Sequence, residues 1–242
     1  HGGKAVMKGP RNYVAAGYES VPVAITVEGA NILTRNLMIF GQGATRSHPY
    51  VLKEMELAQQ ESSEEVLAEF DDVLFNHIGY SITNAVRSLS FALTGSRIVS
   101  NPGNRKLAPY YAHLTRFSAA FALIADVSML SLQSKLKFME MLSARMGDLL
   151  SNLYLASMVI KHYENEGCPD EDFPIVQWAL EYLIYEYQEA FKGIVDNYPN
   201  RILAHGLKIV VFPLGMHFTP PNDKLETKVV EVITQNNEAR DR

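Results

Sequence analysis

From residue 62 to residue 234 apolar side chains return every three or four positions, the period of helices that bury one face. That pattern restricts the fold more than any other feature of the chain. The first long run opens at Ser62, with Glu65 three residues later as a capping-box partner. Its apolar series is Val66, Phe70, Val73, His77, Ile78, Ile82, Val86, Leu89 and Leu93, closed by Gly95 and the Ser100–Asn104 stretch. A second helix is expected from Pro109 through Leu114, Phe117, Phe121, Ile124 and Ser128 to Leu132. A third spans roughly Leu136 to Glu166, with Leu142, Met146, Leu149, Leu153, Ala156 and Ile160 inward and Gly167 as the stop. A fourth opens at Pro174 and carries Trp178, Leu183, Tyr187 and Phe191 inward as far as the Asn197–Asn200 turn; shorter helices are expected at about 200–212 and 223–234. Connections this short favour an antiparallel bundle. The expected core is Phe70, Leu74, Phe121, Ile124, Leu149, Leu153, Trp178 and Leu183.

The first sixty residues have a different texture, punctuated by Gly2, Gly3, Gly9, Pro10, Gly17, Pro22 and Gly29. Within them Val21, Val23, Ile25 and Val27 alternate, which propensity alone reads as a strand. A polar stretch at Gln59–Ser63 marks a boundary, so residues 1–60 and 61–242 are expected to be separate units.

A net charge of −5 offers no basic stripe for phosphate, which argues against nucleic acid as a partner. A single cysteine, Cys168, excludes an internal disulfide framework. It lies in an acidic loop, a poor setting for a thiolate. No uncharged apolar run of membrane-spanning length is present, and the chain reads as a soluble piece of a longer polypeptide. The acidic stretch from Glu164 to Asp172 favours protein over anionic lipid on that face.

Metal chemistry on helices needs histidine and carboxylate at matched spacing. None of the seven histidines follows a Glu by three positions and no His-Glu-x-x-His occurs, so all seven read as packed or solvated and no metal is expected. No Gly-x-Ser-x-Gly elbow is present either. Gly41-Gln42-Gly43 lacks the third glycine of a dinucleotide fingerprint and reads as a helix end. There remains Glu28, between Val27 and Gly29. On spacing alone it is more simply an exposed loop carboxylate; in an apolar cleft, with its proton affinity raised, it is a general base.

The string Glu28-Gly29-x-Asn31-x-Leu33-x-Arg35 resembles the base-bearing motif of the acyl-CoA dehydrogenases. The Gly2-Gly3 pair resembles the family's glycine turn upstream of that base. Phe40-Gly41-Gln42-Gly43-Ala44, His48-Pro49-Tyr50, Ser143–Asp148 and Asp223-Lys224-Leu225 resemble the long bacterial enzymes of fatty-acid β-oxidation along the whole chain. The resemblance implies an all-α fold. Residues 1–60 would be the end of the catalytic C-terminal helical domain, and residues 61–242 an additional antiparallel helical bundle. It also implies that residues 20–27 are helix leading into the base loop, with Pro22 in a first helical turn.

By the same resemblance Glu28 is the catalytic base. Gly2, Gly3 and Gly29 lie against FAD, the substrate is a fatty acyl-CoA, and electrons leave to an electron-transferring flavoprotein. A homodimer is implied, in the cytoplasm, with peripheral association at the inner membrane surface as a further expectation. Ala30 departs from the family's usual Thr, which removes one hydroxyl contact to the cofactor. A non-catalytic helical module for subunit association or membrane-surface docking is the competing reading, and the preferred one for residues 61–242 taken alone.

Overall fold

A computed structural model describes residues 13–27, 42–99 and 104–235, together with Gly2 and Gly9. The described residues are helices joined by short turns, without a strand among them. In chain order they are α1 (Tyr13–Val27), α2 (Ala44–Ser47), α3 (Val51–Leu57), α4 (Glu64–Leu93), α5 (Ala108–Leu132), α6 (Glu140–Asn165), α7 (Phe173–Asn197), α8 (Arg201–Val211) and α9 (Asp223–Thr234). A 3-10 turn, Gln133–Phe138, joins α5 to α6.

Residues 21–27 lie within α1, so the strand reading of their alternation fails. Val21 and Val23 are exposed, and period-two alternation without a sheet partner does not hold a strand. Pro22 sits well inside α1 rather than in its first turn.

The helix ends follow the local chemistry. Ser63, not Ser62, caps α4 by accepting from the Val66 N–H at 3.2 Å. Glu64 and Glu65 then stand in the first turn, where the helix dipole favours acids. Asn200 and Asn222 cap α8 and α9 in the same way. Gly167 closes α6 with φ of +80°, a conformation glycine adopts without strain.

The largest packing interface joins α6 to α7, followed by α4 with α5. α8 lies across α4, α5 and α7, while α9 rests on α7. One core cluster gathers Phe117, Ile124, Met146, Leu149, Tyr187 and Phe191 with their neighbours. A smaller one forms around Leu107, Ile160, Tyr163 and Leu180 at the other end of α6. The stretch Ala108–Leu136 is long and apolar enough by composition to cross a bilayer. Here it contains the central helix α5, with half of its most apolar window buried against other helices.

Of the expected core, Ile124 and Leu149 are fully enclosed, whereas Phe70, Leu74, Phe121, Leu153, Trp178 and Leu183 are only half-buried. On α7 the buried line is Val176, Leu180, Ile184, Tyr187, Phe191 and Ile194. Trp178 instead stacks flat on Tyr182 at the surface, with ring centroids 5.3 Å apart.

α4 departs further from expectation. Its buried line is Val73, Asn84, Ser88 and Ala92, small or polar side chains that let α5 and α8 approach. The apolar line Phe75, Ile78, Ile82, Val86 and Leu93 faces outward. An apolar period marks a face but does not say which face is inside.

Polar anchors fix the remaining connections. Gln188 clamps the connection after α8 through both backbone groups of Phe218, at 2.9 and 3.0 Å. Arg116, buried in α5, donates to the Val211 carbonyl at 2.6 Å, at the last turn of α8. The negative end of that helix thus compensates a guanidinium that has no carboxylate beside it among the described residues.

Leu149→Ala should cost about 4 kcal/mol in denaturant melts, and Leu153→Ala, at the half-buried rim, about 2 or less. Equal losses would contradict this facing of α6.

Candidate functional site

Of the residues singled out by sequence, Glu28, Gly3 and Gly29 lie outside the described residues. Gly2 is described: it is exposed, its φ is +54°, and nothing lies within 4 Å of where a Cβ would stand. The last described residue of α1 is Val27, next in sequence to Glu28.

The described residues that come together lie just downstream of the base motif. His48 precedes α3, and its Nδ1 accepts from the backbone N–H groups of Tyr50 and Val51 at 3.2 and 3.1 Å. The ring does for α3 what an Asp or Ser usually does at a helix start. A nitrogen that accepts carries no hydrogen, so the hydrogen of His48 is on Nε2. It points at Asp126 Oδ1, 2.7 Å away. The other oxygen of Asp126 accepts from the Ser81 hydroxyl at 2.6 Å. Asp126 sits in the middle of α5, only 6% exposed, where an unpaired carboxylate would be costly.

His77, on α4, completes the arrangement. Its Nδ1 donates to Glu54 of α3 at 2.7 Å, and its Nε2 faces Asp126 Oδ1 at 3.8 Å. Tyr50 stacks on His77 with rings nearly parallel, and Tyr80 meets His48 edge-on. Three helices are therefore tied at one point: α3 through His48 and Glu54, α4 through His77 and Ser81, and α5 through Asp126.

His48, His77 and Asp126 place ligand-type atoms within 4.8 Å of one another. Ligation through His48 Nε2 would nonetheless require a fully deprotonated ring, because its Nδ1 already accepts two N–H groups. Metal-bound histidines ordinarily donate from the second nitrogen instead. Nor is Ser81 an activated nucleophile, since its hydrogen goes to a carboxylate and not to a histidine base. The geometry is that of a hydrogen-bonded joint.

Sequence reasoning read these histidines as ordinary packed or solvated side chains and so missed the joint. The available signal was Asp126, a carboxylate inside the apolar run Phe121–Met129. A buried charge calls for partners.

A second polar group lies on the same helix. Burial pushes His113 down to about 4, aided by the charges of Arg116 and His217. Its ring packs against Phe117 and edge-on to Phe218. Burial also lowers Arg116, to about 10, which leaves it charged at neutral pH. Tyr187, fully enclosed beside it, is pushed up by burial and donates to the Phe117 carbonyl at 3.0 Å.

Among known families the chain matches the bacterial-type C-terminal domain of acyl-CoA dehydrogenases, over residues 45–242. The chain belongs to the acyl-CoA dehydrogenase family. No solved structure matches it. The matched region takes in the whole joint and the bundle, and its helical fold agrees with the all-α architecture. Acyl-CoA dehydrogenases are in general FAD-dependent oxidoreductases. This chain carries the C-terminal domain of such an enzyme.

A pH prediction follows for His113. Its folded value lies below the ordinary 6.5, so the unfolded chain binds the extra proton first as pH falls. Its contribution to stability is complete above about pH 6.5 and is lost progressively down to about pH 4. Melting temperatures of wild type and His113→Gln, compared between pH 7.5 and 4, should show the wild type losing more. Parallel curves would contradict the burial argument.

Proposed function

We propose that this dehydrogenase-family chain contributes the catalytic base, Glu28, to the oxidation of a fatty acyl-CoA to its trans-2-enoyl-CoA in fatty-acid β-oxidation. The observation that carries this reading is the family match combined with the Glu28-Gly29-x-Asn31 motif, which stands directly after α1. A base for a weakly acidic C–H needs a carboxylate with raised affinity for a proton, as an apolar cleft provides.

In this reading Glu28 takes the α-proton of the thioester, and its backbone N–H binds the thioester oxygen as charge builds there. Gly29 allows the close approach this needs. Gly2 and Gly3 lie along the cofactor, and the open, left-handed backbone at Gly2 suits that role. FAD, when bound, accepts the hydride from the β-carbon. Ala30 supplies no hydroxyl to the cofactor, so backbone groups or another residue make the local contact. An electron-transferring flavoprotein takes the electrons onward, and the enzyme works as a homodimer in the cytoplasm, at or near the inner membrane surface.

Residues 1–60 belong to the catalytic domain in this reading, and residues 61–242 form a non-catalytic helical module for subunit association or membrane-surface docking. The outward apolar line of α4 favours that role for the module, because isolated monomers rarely expose such a continuous stripe.

Glu28→Gln in the flavin-loaded enzyme tests the base. The amide keeps the size and much of the hydrogen-bonding shape of the acid but takes no proton at working pH. Turnover should fall by roughly 10²–10⁴-fold or more, with flavin content and acyl-CoA affinity nearly unchanged. Normal turnover with normal flavin would end the assignment.

A further inference from the structure

α4 and α6 both pack on α5 and run antiparallel to it, leaving a strip of α5 uncovered between them. The register is regular. Tyr80, Ala125 and Leu150 line one stretch of the strip, and Arg87, Ser118 and Ser157 line the next. Each helix advances seven residues, two turns, between those levels. Two cavities, of about 530 and 420 Å³, meet at Ser118 and form one groove. From Thr115 to Met129 it runs about 21 Å along the helix axis.

The two halves differ in chemistry. Toward Met129 the lining is mostly apolar, with Phe121, Ala122, Ala125 and Leu150, beside Ala44, Pro49 and the His48 that bonds Asp126. Toward Tyr111 the lining carries two cations, Arg87 and Lys161, with the hydroxyls of Thr115 and Ser118 between them. Neither cation has a salt bridge among the described residues. Glu164 stands at the far rim, where the Tyr111 hydroxyl engages it.

Both ends are lined mainly by apolar surface, and the two cations stand at one end only. An amphipathic helix is polar on one side throughout its length, which does not match. A molecule with one anionic end and one long apolar tail does. We propose that the groove binds a single long-chain fatty acid, its carboxylate between Arg87 and Lys161 and its chain lying over Ala122 and Ala125 toward His48. Alanines on the floor leave room for the tail to lie against the backbone, and paired cations at a carboxylate give charge-assisted hydrogen bonds.

The test uses the purified 242-residue chain, titrated calorimetrically with palmitate below its micellar concentration. Saturable one-to-one binding is expected, rising about fourfold per methylene from laurate to palmitate. Ala122→Trp fills the apolar floor and should weaken binding at least tenfold. The surface pair Arg87→Glu with Lys161→Glu, which leaves the core untouched, should weaken palmitate about tenfold and remove its preference over dodecylamine. Palmitoyl-CoA and phosphatidylglycerol vesicles serve as separate arms, and tighter binding of either that ignores both sets of substitutions would overturn the proposal. So would the absence of saturable palmitate binding, or palmitate binding indifferent to both sets while the melting temperatures stay normal. Glu28→Gln should leave palmitate binding unchanged, which separates this site from the fate of the base assignment.

Discussion

A carboxylate in the middle of an apolar helix is the constraint on which the arrangement around it depends. Asp126 is nearly dry, and burying it alone would cost several kcal/mol. Its oxygens are instead shared between the His48 ring and the Ser81 hydroxyl, with His77 close behind. His48 stands at the start of α3, and Ser81 and His77 both lie on α4, so satisfying one charge fixes the mutual position of α3, α4 and α5. The His48 ring carries the effect further. By accepting two backbone N–H groups it sets the start of α3, and its tautomer follows from that. The turn at His48 is thereby attached to the bundle through hydrogen bonds as well as through packing.

The consequence extends along α5. The helix has one side in the core, through Phe117, Ile124 and Leu132, and another side in the groove, through Ser118, Ala122 and Ala125. The joint lies at one end of the groove. Further along, the buried Arg116 is compensated by the C-terminus of α8 instead of by an acid. Two buried ionisable side chains on one helix are thus balanced by different means, one by side-chain partners and the other by a helix dipole.

Much of this was legible in the residues. Helix positions in the bundle followed from apolar period, Pro109 and Pro174 near first turns, and Gly167 as a stop. The family followed from short strings such as Glu28-Gly29-x-Asn31, and the match over residues 45–242 supports it. Facing was less legible. The period of α4 marks an apolar line that turns out to lie outside, because Asn84, Ser88 and Ala92 allow a closer helix approach than Ile82 and Val86 would. On α7 the apolar period fits more than one face, so Trp178 and Leu183 read inward by spacing, yet Leu180 and Ile184 fill the core. The joint was hidden because its members are 78 and 45 residues apart in sequence. No local spacing rule reaches that far.

Amide hydrogen exchange in Asp126→Ala tests the central claim most directly. If Asp126 fixes α3 through His48, the Tyr50 and Val51 amides and the rest of α3 should lose protection, while the α6–α7 core keeps its own. Unchanged protection at Tyr50 and Val51, with the core equally intact, would show that α3 is held by packing alone and that the buried carboxylate does not organise this part of the molecule.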